Sequence, residues 1–343
     1  MELMAIDAAI DLGTSRTRIF LPEKGLVVDE PSVVTVDLKS GELAAVGQQA
    51  YLMIGRTSDR LQAVYPLSGG VISESSLVEG LIDTLLRRVI SPKLSMPRAV
   101  VCMPGEITEV EKRAVISAIT GAGVRRICLI EEAVAAAMGA LTDISSPHGL
   151  CVIDIGGGTT DMAVITLGGV AVSRSIRQAG DAMDEELIRY VRQQYHLLIG
   201  KRTAEEIKMR IGCMIPGSRQ GKMRVKGRDL LSGLPSWTDL CAEETAEPLL
   251  NIARQICGSL KEMLEETPPE LIGDISADGI ILTGGAAHIA GFDKMIEAGA
   301  KLTVRTAPDA DTCVIRGCGE ALKYITHNPH DTKGIINPIA EYF

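Results

Sequence analysis

Two carboxylates set out the chemistry that this chain could do. Asp11 sits in "AAIDLGTSRTRIFL" and Asp154 in "CVIDIGGGTTDMAVI", 143 positions further on. Each ends an apolar run, and each is followed by one apolar residue, a glycine turn, hydroxyl residues and a second apolar strand. Such a turn lines up main-chain N–H groups as a nest for anions, phosphate oxygens above all, and glycine lets a ligand approach the backbone closely. Thr14, Ser15, Thr159 and Thr160 add hydroxyl donors. Two acids do not face a bare polyphosphate. A divalent cation between them reconciles the charges, and Mg²⁺, which keeps its waters and takes one or two carboxylates plus phosphates, suits the pattern. A third glycine turn, Gly284 and Gly285 after "GIILT", has the form of a turn that a nucleoside slides past. The P-loop and the G-x-G-x-x-G fingerprint are both missing from the sequence, so the two commonest nucleotide signatures do not apply.

The elements that must hold these turns alternate between strand and helix. "IDLG", "RTRIFL", "GLVVDEP" and "SVVTVDL" read as short strands punctuated by Gly and Pro. "SLVEGLIDTLLRRVI" carries Leu77, Leu81, Leu85 and Val89 at helical spacing beside Val78, Ile82, Leu86 and Ile90, a wide apolar stripe for packing on a sheet. "TEVEKRAVISAITGAG" has a Thr cap, early acids and a glycine stop. "RRICLIEEAVAAAMGAL" reads as a strand running into an alanine-rich helix. The second half repeats the mixture, with strands "GLCVIDI", "DMAVITL", "VAVSRSI" and "GIILTGG" and helices "DEELIRYVRQQYHLLIG", "TAEEIKMRIG" and "AEPLLNIARQICGSLKEML". The pattern is α/β with parallel strand pairs. Residues 217–237 read as a β-hairpin, and the polar tail "HNPHDTKGIINPIAEYF" as mobile.

Composition narrows the function. With 343 residues, 46% of them apolar, the chain can build two compact domains or one large split one. A net charge of −9 and an aromatic content of 3% argue against a phosphate-backbone or base-stacking partner, so no nucleic acid is expected. The eight cysteines form no C-x-x-C pair and read as small buried hydrophobes in a reducing compartment; the five histidines form no ligand cluster. No run reaches the length of a membrane span, and the start has no signal-peptide form, so a cytosolic protein is expected.

At the level of motifs, "DLGTSRT", "DIGGGTTD" and "ILTGGA", in that order, resemble the first phosphate, second phosphate and adenosine motifs of the actin, heat-shock-chaperone and sugar-kinase ATPase superfamily. "VVDEPSVVTVD", "AVGQQAYLMIGRT", "YPLSGGVI", "CLIEEAVAAAMG", "AGDAMDEELIRYVRQQY", "IGKRTAEEIKMRIG" and "TPPELIGDIS" extend the resemblance to one branch, the MreB family, as far as about Ile325. That resemblance implies duplicated actin-like (ribonuclease H-like) α/β domains, each a mixed sheet flanked by helices, with a nucleotide in the cleft between them. Domain I would span 1–145 plus about 311–343, with a small subdomain near 32–70; domain II would span 146–310, with a small subdomain near 181–243.

The resemblance also implies roles. Asp11 and Asp154 would hold Mg²⁺ through water. Gly13, Thr14, Ser15, Arg16, Gly156, Gly157, Gly158 and Thr159 would surround the phosphates of ATP, with GTP as the other candidate. Glu132, assisted by Thr159, would position the attacking water. Glu205 and Lys208 would lie near the nucleoside, and Gly284 and Gly285 would form its turn. The implied activity is ATP hydrolysis coupled to assembly of membrane-associated filaments, as expected of a bacterial actin that organises cell-wall synthesis and maintains shape. Its partners would be further copies of itself in paired protofilaments, the inner membrane surface and membrane proteins of wall elongation. A specialised paralogue for plasmid or organelle positioning, and a soluble kinase or chaperone-type module, are the alternatives.

Plainer readings stand beside these. Glu131 and Glu132 precede a helix, where the dipole favours acids whatever their role. Glu205, Glu206 and Lys208 also fit a solvated helix face, and Asp161 and Asp184 fit caps or surface positions. Three residues depart from the family pattern: Arg16 stands where an amide is expected, Ala133 where a proline is expected, and Ala286 where a glycine is expected. Ala133 is expected to loosen the turn that carries Glu132. Strand alternation puts Thr14, Arg16 and Arg18 on one face, so Arg16 or Arg18 is expected to set a guanidinium against the phosphates. In "ISPKLSMPR", Leu94 and Met96 could enter a membrane, but as a small anchor that needs many linked subunits.

Overall fold

The computed structural model describes residues 7–90, 98–327 and 340–342. Leu94 and Met96, expected to enter a membrane, lie outside the described residues.

The chain opens with three strands, β1 (Ala8–Leu12), β2 (Arg16–Leu21) and β3 (Gly25–Pro31). A small sheet of β4 (Val34–Asp37), β5 (Leu43–Val46) and β6 (Leu61–Val64) follows, with α1 (Gln48–Met53) between the last two. A short ladder, β7 (Leu67–Ser68) and β8 (Val71–Ile72), leads to α2 (Ser75–Val89). Then come β9 (Arg98–Met103), α3 (Glu109–Gly121), β10 (Arg126–Glu131) and α4 (Glu132–Gly139).

The second half repeats the plan. Strands β11 (Leu150–Ile155), β12 (Thr160–Thr166) and β13 (Gly169–Ile176) precede α5 (Gly180–Tyr195). A second small sheet holds β14 (Leu197–Leu198), β15 (Lys222–Asp229) and β16 (Pro235–Cys241), with α6 (Lys201–Ile211) inserted. Next come α7 (Ala246–Glu266), α8 (Pro269–Asp278), β17 (Ile280–Thr283), α9 (Phe292–Ala300), β18 (Val304–Thr306), α10 (Cys313–His327) and β19 (Ala340–Tyr342).

The two large sheets share one topology. The first runs β19-β10-β9-β1-β2-β3 and the second β13-β12-β11-β17-β18. In each, three strands form an antiparallel meander, and the first of them pairs in parallel with a strand from later in the chain. Their continuous burial follows from helices covering both faces: β1 is buried at all five positions and β11 at five of six. The α2 stripe is realised, with Leu77, Val78, Leu81, Ile82, Leu85 and Leu86 buried. At roughly 1.5–3 kcal/mol for each large aliphatic side chain, that face alone contributes on the order of 10 kcal/mol of gross transfer energy. Helix α3 starts on the expected Thr108 cap, where Thr108 and Glu111 form a reciprocal capping box.

Two expectations are corrected, and one helix is added. The helix read through "HLLIG" stops at Tyr195, where His196 turns left-handed at φ 50° and Leu197–Leu198 pairs with β15. Burial of Leu197 in the second core favours that strand over another helical turn. The tail is not wholly loose, because residues 340–342 form an edge strand antiparallel to β10. Helix α8, opened by Pro269 at its first position, was not read from the sequence. The hairpin expected within 217–237 is present as β15 and β16.

Candidate functional site

The two aspartates end up at equivalent places. Asp11 lies near the end of β1 and Asp154 near the end of β11, and both are almost wholly buried. Both turns close by the same main-chain bond: the N–H of Gly13 donates to the Arg16 carbonyl (3.1 Å), and that of Gly156 to the Thr159 carbonyl (2.9 Å). Those two N–H groups are thereby committed to the turns. The glycines of the second turn serve close approach rather than unusual dihedrals. A Cβ on Gly157 would meet Ser15 Oγ at 2.0 Å, and one on Gly158 would meet Thr14 Oγ1 at 2.2 Å. The two turns thus face each other with no room for a side chain. Gly284 is different: it has φ 87°, and a Cβ there would strike the Ile155 carbonyl.

The residues given roles at the nucleotide all line one of two adjoining cavities; Thr160, expected as a further hydroxyl donor, does not, being fully buried with its hydroxyl donating to the Gln178 carbonyl at 2.7 Å. Asp11, Gly13, Thr14, Glu132, Asp154, Gly156, Gly157, Gly158, Thr159 and Gly284 surround the first. Glu205 and Lys208 line the second, and Ser15, Arg16, Gly156, Gly157 and Gly285 line both. Sequence reasoning missed Gly70, Asp311, His288 and Met209, which also line this space. Gly70 sits between β7 and β8, and its N–H donates to Thr14 Oγ1 at 2.9 Å. Residues Asp311 and His288 have no signal of their own in the sequence; their side chains approach to 3.4 Å.

The electrostatics of the cleft are those of crowded, desolvated acids. Burial pushes the Asp154 carboxyl up to about 7, although it accepts a hydrogen bond from Thr283 Oγ1 at 2.7 Å. Burial raises Asp11 too, against the pull of Arg18, whose Nη1 lies 3.4 Å away. The Cys102 thiol donates to Asp11 as well, at 3.4 Å. Glu132 is driven well above the usual carboxylate range, first by burial and then by the charges of Asp161, Asp11 and Asp154. The Thr159 hydroxyl donates to its Oε2 at 3.4 Å.

Arg16 and Arg18 divide sharply. The Arg16 guanidinium is held by Asp29, with Nε 2.6 Å from Oδ1 and Nη2 donating to the Asp29 carbonyl at 2.8 Å; its side chain is 40% exposed. Arg18 is buried, directly across the β1–β2 ladder from Asp11, and also reaches Asp29 (3.1 Å) and Asp311 (3.6 Å). Ala133 is buried in the first turn of α4, where no intrahelical N–H partner is required, so alanine serves as well as proline and that turn is intact.

Two plain readings are overturned. Asp161 and Asp184 are not surface residues: they are 1% and 2% exposed. Asp161 accepts from the Gly105 N–H at 3.0 Å and adjoins Glu132, while Asp184 pairs with Lys208 Nζ at 2.8 Å. Lys208 Nζ also donates to the Gly180 carbonyl at 2.7 Å, and Glu205 accepts from Tyr51 Oη at 2.7 Å. Only Glu206, paired with Arg210, keeps to the solvated face.

The donor set fits Mg²⁺ carried on a phosphate. Among the described residues no group of three or more His, Cys, Asp or Glu could hold a metal by itself, and two acids leave the remaining positions to phosphate oxygens and water.

The repeated sheets, with a cleft lined by facing glycine turns and two buried acids, define an actin-like α/β protein. A family model described as MreB/Mbl protein matches residues 5–330. The chain is 40% identical over 328 residues to the cell shape-determining protein Mbl of Bacillus cereus, covering 95% of this chain and 98% of that one. It is 42% identical over 325 residues to the cell shape-determining protein MreB of Escherichia coli, covering 93% and 94%. Among solved structures, MreB 5 of Spiroplasma citri bound to AMPPNP superposes with a TM-score of 0.91 at 35% identity, over 96% of this chain and 99% of that one. A MamK double helical filament shares the fold alone, at 0.77 and 19%, over 93% and 99%. The chain belongs to the MreB/Mbl family.

Proposed function

We propose that this chain binds ATP with Mg²⁺ between its two glycine turns, hydrolyses it, and assembles into filaments that organise wall synthesis at the inner face of the cell membrane. The observation that carries the nucleotide reading is the convergence of Asp11, Asp154, Glu132, both phosphate-type turns and the Gly284 turn on one cleft. Relatives supply the context: MreB 5 of Spiroplasma citri has been solved with AMPPNP and with ADP, and MamK as a double helical filament. Two domains, each built on one large sheet, would close on the nucleotide, with boundaries near 145 and 311.

Asp11 and Asp154 would hold the hydrated cation. When bound, Mg²⁺ supplies charge neutralisation and orientation of the phosphates. Thr14, Ser15 and the backbone of Gly157 and Gly158 surround the phosphate chain, while Glu205, Lys208 and Gly285 border the nucleoside. Arg18, rather than Arg16, is the guanidinium placed to turn from Asp11 toward a phosphate: both reach Asp29, but Arg18 is buried beside Asp11, whereas Arg16 is 40% exposed and bound to Asp29 twice. Glu132 orients the attacking water with the Thr159 hydroxyl, and its raised proton affinity suits it to take the proton that the water releases. The attachment proposed is peripheral; among the described residues no helix is long and apolar enough to cross a membrane.

Sedimentation of the purified protein with and without ATP and Mg²⁺, with phosphate release followed in parallel, tests this reading. Nucleotide-dependent pelleting and phosphate release are expected. Calorimetry that detects no uptake of any adenine or guanine nucleotide would remove it.

A further inference from the structure

Helix α1 and Tyr65, beside the first small sheet, meet helix α6, inserted in the second. Tyr51, on α1 of the first half, donates its hydroxyl to Glu205 Oε2 on α6 of the second at 2.7 Å. Lys201 Nζ, one turn earlier on α6, lies 4.5 Å from the centroid of the Tyr65 ring, and the Arg202 guanidinium lies 5.3 Å from that of Tyr51. Three contacts thus join the halves through two tyrosines on one side and one helical turn on the other. They have the chemistry of a closure rather than of a core. A hydroxyl-to-carboxylate bond is charge-assisted and directional, and a cation over a ring needs no deep burial, so both can break and re-form without a packed apolar surface being exposed.

Glu205 also lines the cavity beside Lys208 and Gly285. The acid on the wall of that cavity is therefore the acid that the opposite half grips. Burial and the hydrogen bond to Glu205 raise the pKa of the Tyr51 hydroxyl, in keeping with its role as donor.

We propose that Tyr51 and Tyr65 form a latch across the mouth of the cleft, closing on Glu205 and Lys201 and setting how long a nucleotide stays bound. The residence-time part rests on the nucleotide reading above; the latch itself does not. Tyr51 and Tyr65 are positioning residues, acting through α6 and not on the reacting phosphates.

Two measurements on the full chain test this. In the first, radiolabelled ADP bound with Mg²⁺ is chased with unlabelled ADP. Tyr51→Phe, which removes only the hydroxyl, is expected to speed release about tenfold, and Tyr51→Phe with Tyr65→Leu to speed it further, with the association rate little changed. Release from both variants within twofold of the parent overturns the proposal. In the second, spectroscopic labels on ketone-bearing residues at exposed Leu38 and Leu231 report the distance across the cleft in nucleotide-free protein, at concentrations where nothing pellets. A shift to longer distances in Tyr51→Phe supports the latch, and superimposable distributions overturn it. Because this arm needs no nucleotide, failure to bind ADP sinks the proposed function and leaves the latch decided on its own evidence.

Discussion

The hairpins β1–β2 and β11–β12 have the same backbone and opposite charge. In the first, Asp11 lies across the ladder from Arg18; in the second, Asp154 lies across from Asp161. Both partners stand seven residues after their aspartate, and both turns close by the same carbonyl bond. One hairpin therefore brings a cation to the cleft, and the other brings a second acid beside Glu132. A duplicated frame supplies two equal walls, and single residues on it divide the labour. The Arg18 wall is suited to phosphate charge, and the Asp161 wall to holding Glu132 and a proton.

The sharpest way to break this comparison is to make the walls alike. Arg18→Asp places a further acid against Asp11 and is expected to weaken ATP–Mg²⁺ binding by more than about 100-fold in calorimetry. Loss below tenfold would show that the cation does not face the phosphates. On the other wall, Glu132→Gln is expected to lower turnover by about 10² to 10⁴ with nucleotide affinity nearly unchanged, read from single-turnover phosphate release. Asp161→Asn acts one step back, by misplacing Glu132. A loss of about 100-fold or less is expected, again without loss of affinity, and equal losses in binding and turnover would contradict the division.

Arg16→Asn sharpens the contrast between the two arginines of β2. The Arg16 guanidinium is half-exposed and tied to Asp29, so ATP affinity should change by less than about fivefold. The smallest effect concerns pH. Burial pushes Asp184 up to about 7 against the pull of Lys208, from 3.8 in the unfolded chain. Between about pH 4 and 7 the folded protein holds a proton that the unfolded chain has released, so stability falls as pH rises through that window and levels off above it. Asp184→Asn, which keeps an acceptor for Lys208, should flatten that part of the profile of melting temperature against pH.

Much of this was legible before any fold was known. The glycine turns after Asp11 and Asp154, the α2 stripe and the Thr108 cap are local patterns, and each is present where the residues place it. Their legibility has a local cause, since strand alternation, helical spacing and capping depend on neighbours within one or two turns. Asp161 and Asp184 were misread for the opposite reason. Nothing within a few residues of either says that Gly105 or Lys208 will arrive to cover it. Asp311 and His288, brought to the cleft from the turns after β18 and β17, gave no sign at all.

The sequence by itself determined two apolar strand–turn–strand units with acids at matching points, because side-chain type and spacing decide which face is buried and where the chain can turn. Only the tertiary structure decided which of two arginines enters the cleft, which acids lose their water, and that Tyr51 meets Glu205 across 154 positions of chain. Those outcomes depend on what is packed opposite, and charge and hydrogen-bond energies are set by that packing rather than by the residue alone.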